Sequence, residues 1–215
     1  TDRANALQMR LDHVGWEMYE IELDNESYSV LHGDANDILP GIPERIINMR
    51  GGVRGAHHFA FVDNESGDVY KDSLEELATL WGDWLINYPP MGINRSRGDG
   101  NIEKLNRFYG TEEHLEKRSD EARLQLYLDQ LESMDRNKQR LIRVDGSKKH
   151  RFHYNLIYAV RKTGGGNEWL EAIDAIKHNV ERLDGDDITR ALDVLRGDSV
   201  IGGSTEQHGL NEFGE

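Results

Sequence analysis

The sequence predicts an α+β fold: a mainly antiparallel sheet built from three hairpins, with helices packed on one side. Three observations carry this. Two short apolar runs are split by clusters of turn residues at 24–26 and 63–68, apolar and polar residues alternate strictly over 152–160, and segments of helical periodicity lie between and after them.

In the first hairpin, residues 16–32, Tyr19, Ile21 and Leu23 share one face, Asp24-Asn25-Glu26 supplies the turn, and Tyr28 and Val30 return. Pro40 and Pro43 then interrupt regular structure, and 44–49 forms a short helix stopped by Gly51-Gly52. The second hairpin, 57–71, sets Phe59 and Phe61 before the polar turn 63–68 and Val69-Tyr70 after it. Ser73 with Glu76 reads as a capping box. It opens a helix in which Leu74, Leu77, Leu80, Trp81, Trp84, Leu85 and Tyr88 recur at helical spacing until Pro89-Pro90. Residues 91–101 hold three glycines and two arginines and read as an exposed loop.

From 111 to about 138 the chain has neither Gly nor Pro, and its apolar stripe is thin: Leu115, Ala122, Leu124, Leu128 and Leu131. The expectation is a long polar helix that projects from the core or lies against a neighbouring subunit. In the third hairpin, Phe152, Tyr154, Leu156, Tyr158 and Val160 alternate and pair back across Asp145-Gly146 to Leu141, Ile142 and Val144. Gly164-Gly165-Gly166 leads to a helix from Asn167 to Leu183, and a last short helix spans 187–195. The organisation is a single domain over 1–196 and an extended tail over 197–215, which has too few apolar residues to order itself and is expected to lie on another chain.

Composition bounds the function. Forty Asp and Glu face twenty-six basic residues, 18 Arg and 8 Lys, for a net charge of −14 in 215 residues. Carboxylates hold water better than ammonium groups, so this balance suits a protein dispersed in concentrated salt and points to a halophilic host, although a GC-rich genome makes the same exchange of Lys for Arg. The absence of cysteine excludes disulfides, thiolate metal sites and cysteine nucleophiles. No apolar run is long enough to span a bilayer, and residues 1–12 lack the apolar centre of a secretion signal, so the expected location is inside the cell, with or without incorporation into a virion.

The strongest candidate site is cationic. Arg140, Arg143, Lys148, Lys149 and Arg151 crowd the third hairpin, Arg161 and Lys162 follow, and Arg151, His153 and Asn155 are expected opposite its aromatic face. Such a surface meets the carboxylates of a sister subunit or the phosphates of nucleic acid, and the overall acidity favours the protein partner. His57 and His58, followed by Asp63, Glu65 and Asp68, offer metal-ligand chemistry, but adjacent strand residues point to opposite faces and the spacing matches no metal motif. The stretch 160–167 runs strand, glycine loop, helix, yet lacks the Gly-Lys-Ser/Thr ending of a phosphate loop. No serine sits in a nucleophile elbow. The expected function is therefore a non-enzymatic assembly subunit without cofactor or metal, concretely a head-tail connector or tail-completion component of a tailed virus of a halophile. A nucleic-acid-associated protein using 140–162 is the alternative, and a metal-dependent hydrolase the third reading.

Overall fold

The computed structural model describes residues 9, 31–50, 57–146, 153–162 and 168–183. Its strands are β1 (His57–Val62), β2 (Trp81–Tyr88), β3 (Lys138–Asp145) and β4 (His153–Val160), which form a four-stranded sheet in the order β1-β2-β4-β3. The helices are α1 (Ala35–Ile38), α2 (Ile42–Arg50), α3 (Lys71–Leu77), α4 (Pro90–Gly98), α5 (Ile102–Tyr109), α6 (Asp120–Ser133) and α7 (Glu168–Val180), with 3-10 turns at Leu39–Gly41 and Glu113–Leu115. Among the described residues no helix is long and apolar enough to cross a membrane.

The mixed α and β character agrees with the sequence reading, but the sheet does not consist of three hairpins. Only β3 and β4 form one among the described residues, with Leu141 opposite Ile157 and Val144 opposite Tyr154. The stretch 57–71 is not a hairpin. β1 pairs in parallel with β2, Phe61 beside Leu85, and a parallel neighbour requires the crossover that α3 provides. After β1 the chain turns instead through a side-chain hub: Asn64 Oδ1 accepts from Gly67 N and Asp68 N at 3.0 and 2.7 Å, and Tyr70 N donates to Asn36 Oδ1 at 2.8 Å. The first predicted hairpin falls outside the described residues, apart from Leu31 and His32, which are not in a strand. The helix predicted over 187–195 and the tail 197–215 fall outside them as well.

The helix expected from Ser73 to Tyr88 splits. α3 ends at Leu77, and Trp81–Tyr88 is strand β2. The apolar residues of this stretch fit a helical period, but Trp84, Ile86 and Tyr88 also alternate, and aromatic and β-branched residues favour the pleated surface. Ser73 caps nothing; its hydroxyl bonds Asn36 Oδ1 at 3.1 Å while Tyr70 stands at the N-cap. The expected loop at 91–101 is largely helix α4, opened by Pro90 in its first turn, where a missing N–H costs nothing. Gly92 lets this helix meet the preceding turn, since a Cβ there would collide with the Glu65 carbonyl.

The long polar helix is shorter than expected and does not project. α6 starts at a real cap, Ala122 N to Ser119 Oγ at 3.1 Å, and buries Arg123, Tyr127, Gln130 and Leu131 against the sheet and α5. Its stripe looked thin because Tyr127 and the stems of Arg123 and Gln130 complete it. Arg123 is fully engaged, donating to Lys117 O and Asn94 Oδ1, both at 2.9 Å, and to the Asp120 carboxylate.

Helices cover both faces of the sheet, not one. On the inner face, Trp84, Ile86, Tyr88, Ile157 and Ala159 pack with Leu74 and Leu77 of α3, Ile93 of α4, Leu105, Phe108 and Tyr109 of α5, and Tyr127 and Leu131 of α6. On the outer face, α7 brings Leu170 and Ile173 onto Ile142, Tyr158 and Val160. Strand β4 is thus buried on both sides, and Asn155, expected on an exposed cationic surface, is buried on the inner face beside Tyr88.

Candidate functional site

Strand alternation divides β1 between the two faces. His58, Ala60 and Val62 turn inward, in register with Gly82, Trp84 and Ile86, while Phe59 and Phe61 turn outward beside Asp83 and Leu85. The outer residues of β3 and β4 lie under α7, but α7 does not extend its apolar stripe over β1. Phe59 is consequently 60% exposed, Phe61 59% and Trp81 42%. Burying one such ring is worth about 1.5–3 kcal/mol, so this half of the outer face holds a sizeable unused driving force.

The same strand is the edge of the sheet among the described residues. Its sequence His57-His58-Phe59-Ala60-Phe61-Val62 carries no Lys, Pro or Gly, the residues with which natural proteins blunt an edge against further pairing. Nearby polar groups are already used. Asp83 Oδ2 accepts from Tyr158 OH at 2.8 Å, and Asp63 Oδ1 accepts from Asn87 Nδ2 at 2.9 Å. The patch is therefore aromatic, with its two neighbouring carboxylates held by neutral donors of the same chain.

A second feature lies on the inner face where β2 begins. Past the end of α6, Asp135 adopts a left-handed conformation, φ 68°, and the Arg136 and Asp135 amides return to Leu131 O and Glu132 O, both at 3.0 Å. This is a Schellman ending in which Asp stands where Gly fits best, at a cost of about 1 kcal/mol. It sends Arg136 inward. The side chain is fully buried with its guanidinium 4.1 Å over the Trp84 ring, and Nε, Nη1 and Nη2 have no hydrogen-bond partner.

Stacking on Trp84 contributes on the order of 2 kcal/mol and the helix C-terminus about 0.3–1 kcal/mol, against a penalty of several kcal/mol for a buried ion. Burial first, and then the neighbouring Arg161, pull Arg136 down to about 10. Arg161 Nη2 donates to Ala78 O, its Nε is buried without a hydrogen bond 4.0 Å from the Asp135 carboxylate, and its guanidinium lies 5.4 Å from the Trp81 ring. His58 borders the cluster. Its Nε2 accepts from Trp84 Nε1 at 3.2 Å, which places the neutral ring's proton on Nδ1; burial lowers its basicity. That Nδ1 lies near the Trp81 backbone but closes no hydrogen bond.

The residues of the predicted cationic hairpin are dispersed. Arg140 lies on the outer face and its Nε bonds Asp174 of α7 at 2.6 Å; Arg143 lies on the other face of β3, exposed, its Nε 2.8 Å from Asp145. Arg161 and the exposed Lys162 follow the far end of β4, eight residues from His153, or about 25 Å. Lys148, Lys149 and Arg151 are outside the described residues. The proposed metal ligands do not converge either. His58 is bonded to Trp84, Asp63 to Asn87, and Asp68 to Ser66 and the Lys104 ammonium. Among the described residues no three His, Asp or Glu side chains are placed to hold a metal ion.

Sequence reasoning passed over Arg136. The available signal was Asp135-Arg136-Asn137, a helix-ending Asp and Asn just before a strand. Compared with protein-family models, with curated proteins and with solved structures, the chain matches none.

Proposed function

We propose that this chain is a non-enzymatic assembly subunit that associates with a second copy of itself through β1, the edge of the sheet among the described residues, and its aromatic outer face. The observation that carries the reading is the pair Phe59 and Phe61, about three-fifths exposed at alternate positions of an edge strand that has no blocking residue. Antiparallel addition of a second β1 sets Phe59 of each copy against Phe61 of the other and continues the aromatic face across the joint. A net charge of −14 opposes such pairing at low salt. In molar salt, where the Debye length is about 3 Å, that opposition is screened and the apolar contact remains.

In its most concrete form the subunit is a virion component, a head-tail connector or tail-completion protein of a tailed virus of a halophile. The acid-rich, Lys-poor composition supports the host, and the bare aromatic edge supports assembly. Nucleic acid is the less favoured partner, because Arg140 and Arg143 are already answered by carboxylates of the same chain.

Light scattering coupled to size exclusion in molar KCl tests this. The wild type is expected at twice its 24.6 kDa mass or more, and Phe59→Lys/Phe61→Lys at the monomer mass with an unchanged far-UV circular dichroism spectrum. A wild type that stays monomeric at every concentration would refute the proposal.

A further inference from the structure

We propose that the buried cluster of Arg136, Arg161 and His58 is a binding site for an oxyanion, carboxylate or phosphate, seated between the two guanidinium groups. Three unpartnered nitrogens on one fully buried arginine constitute a planar fork of donors with nothing to accept from them. Arg161 adds a fourth, its buried Nε, and His58 borders them with its Nδ1 turned toward the Trp81 backbone. A fork-shaped oxyanion is the ligand that two guanidinium groups recognise, since each can give it two parallel hydrogen bonds.

The carboxylates nearby do not already serve. Asp83 is bonded to Tyr158, and Asp135, with its side chain 72% exposed, comes only to 4.0 Å of Arg161 and closes no bond with Arg136. The backbone holds the inner guanidinium in place at the expense of a left-handed non-glycine residue, Asp135, as happens where the position of a neighbouring side chain matters more than local comfort. Arg161 is the less buried of the two arginines: its side chain is 20% exposed, between Trp81 and Asp135.

This inference is independent of the assembly reading, and its test does not depend on oligomeric state. Thermal unfolding is measured with sodium phosphate in one arm and sodium acetate in another, each against sodium chloride at equal ionic strength, so that screening of the acidic surface cancels. Preferential binding to the folded state raises the Tm continuously with the logarithm of oxyanion concentration above its dissociation constant. The arm that rises identifies the oxyanion as phosphate or carboxylate. Arg136→Met, which keeps the stem and its packing on Trp84, is expected to abolish the rise, and Arg161→Gln to weaken apparent affinity at least tenfold. The Arg161 variant decides the matter if Arg136→Met does not fold. A wild-type Tm that tracks the chloride control in both arms overturns the proposal, as does a rise of equal size in Arg161→Gln.

Discussion

The two faces of the β1–β2 pair are built from the same kinds of residue and used in opposite ways. Inward, Trp84, Ile86 and Tyr88 are at most 1% exposed; outward, one residue away along the same strands, Phe59, Phe61 and Trp81 keep between 42 and 60% of their surface. The aromatic content is no guide to which face is covered. What differs is the roof: α3 to α6 close over the inner face, whereas the outer cluster under α7 takes in β3, β4 and Leu85 of β2 and leaves Phe59, Phe61 and Trp81 exposed. This uncovered aromatic half-face is the surface on which the proposed self-association rests.

Truncation on the two faces should have very different consequences. Trp84→Ala removes a fully buried ring that also stacks on Arg136, and is expected to cost about 3–5 kcal/mol in chemical denaturation. Phe59→Ala is expected to change the stability of the monomer by no more than about 0.5 kcal/mol. Comparable losses at the two positions would mean that Phe59 is covered, and the contrast between the faces would fail.

Acid should probe the inner face alone. His58 accepts a hydrogen bond from Trp84, and His114 is fully buried against Tyr109 with Nε2 2.7 Å from Asn106 Oδ1; burial lowers the basicity of both. Unfolded, each ring takes up its proton near pH 6.5; folded, it resists until lower pH. The unfolded state therefore binds more protons in the window below about 6.5, so stability falls as pH falls through it. We expect the Tm to drop by a few degrees from pH 7 to 5, less in His58→Gln, and by the same amount in Phe59→Ala as in the wild type. A Tm that is flat over this window would show that the rings are not held neutral.

Much of the β3–β4 hairpin and of α7 was legible in the sequence, because Leu156, Tyr158 and Val160 alternate cleanly and Leu170, Ile173 and Val180 repeat at helical spacing. The segment 81–88 was not, since its apolar residues satisfy both periods and only the roof of helices decides between them. The loop reading of 91–101 failed for a local reason: Gly92 is present for a close backbone approach to Glu65, not for a turn. Neither part of the candidate site could be read in advance. Which way Phe59 and Phe61 face depends on the register with β2, and the burial of Arg136 depends on a left-handed Asp135 that sequence periodicity does not register.

The central claim, that β1 pairs with β1 of a second copy, is most directly tested by a single engineered thiol. If Phe59 of one copy opposes Phe61 of the other, the two copies of Ala60 face each other on the two-fold axis, about 4.5–5.5 Å apart between Cα atoms, within reach of a disulfide. The chain has no other cysteine, so any disulfide formed must join two molecules. Under mild oxidation in molar salt, Ala60→Cys is predicted to yield a covalent dimer in high yield, while Ala175→Cys, on the exposed side of α7, stays monomeric on a denaturing gel. Equal linkage at the two positions, or none at Ala60, would contradict the account.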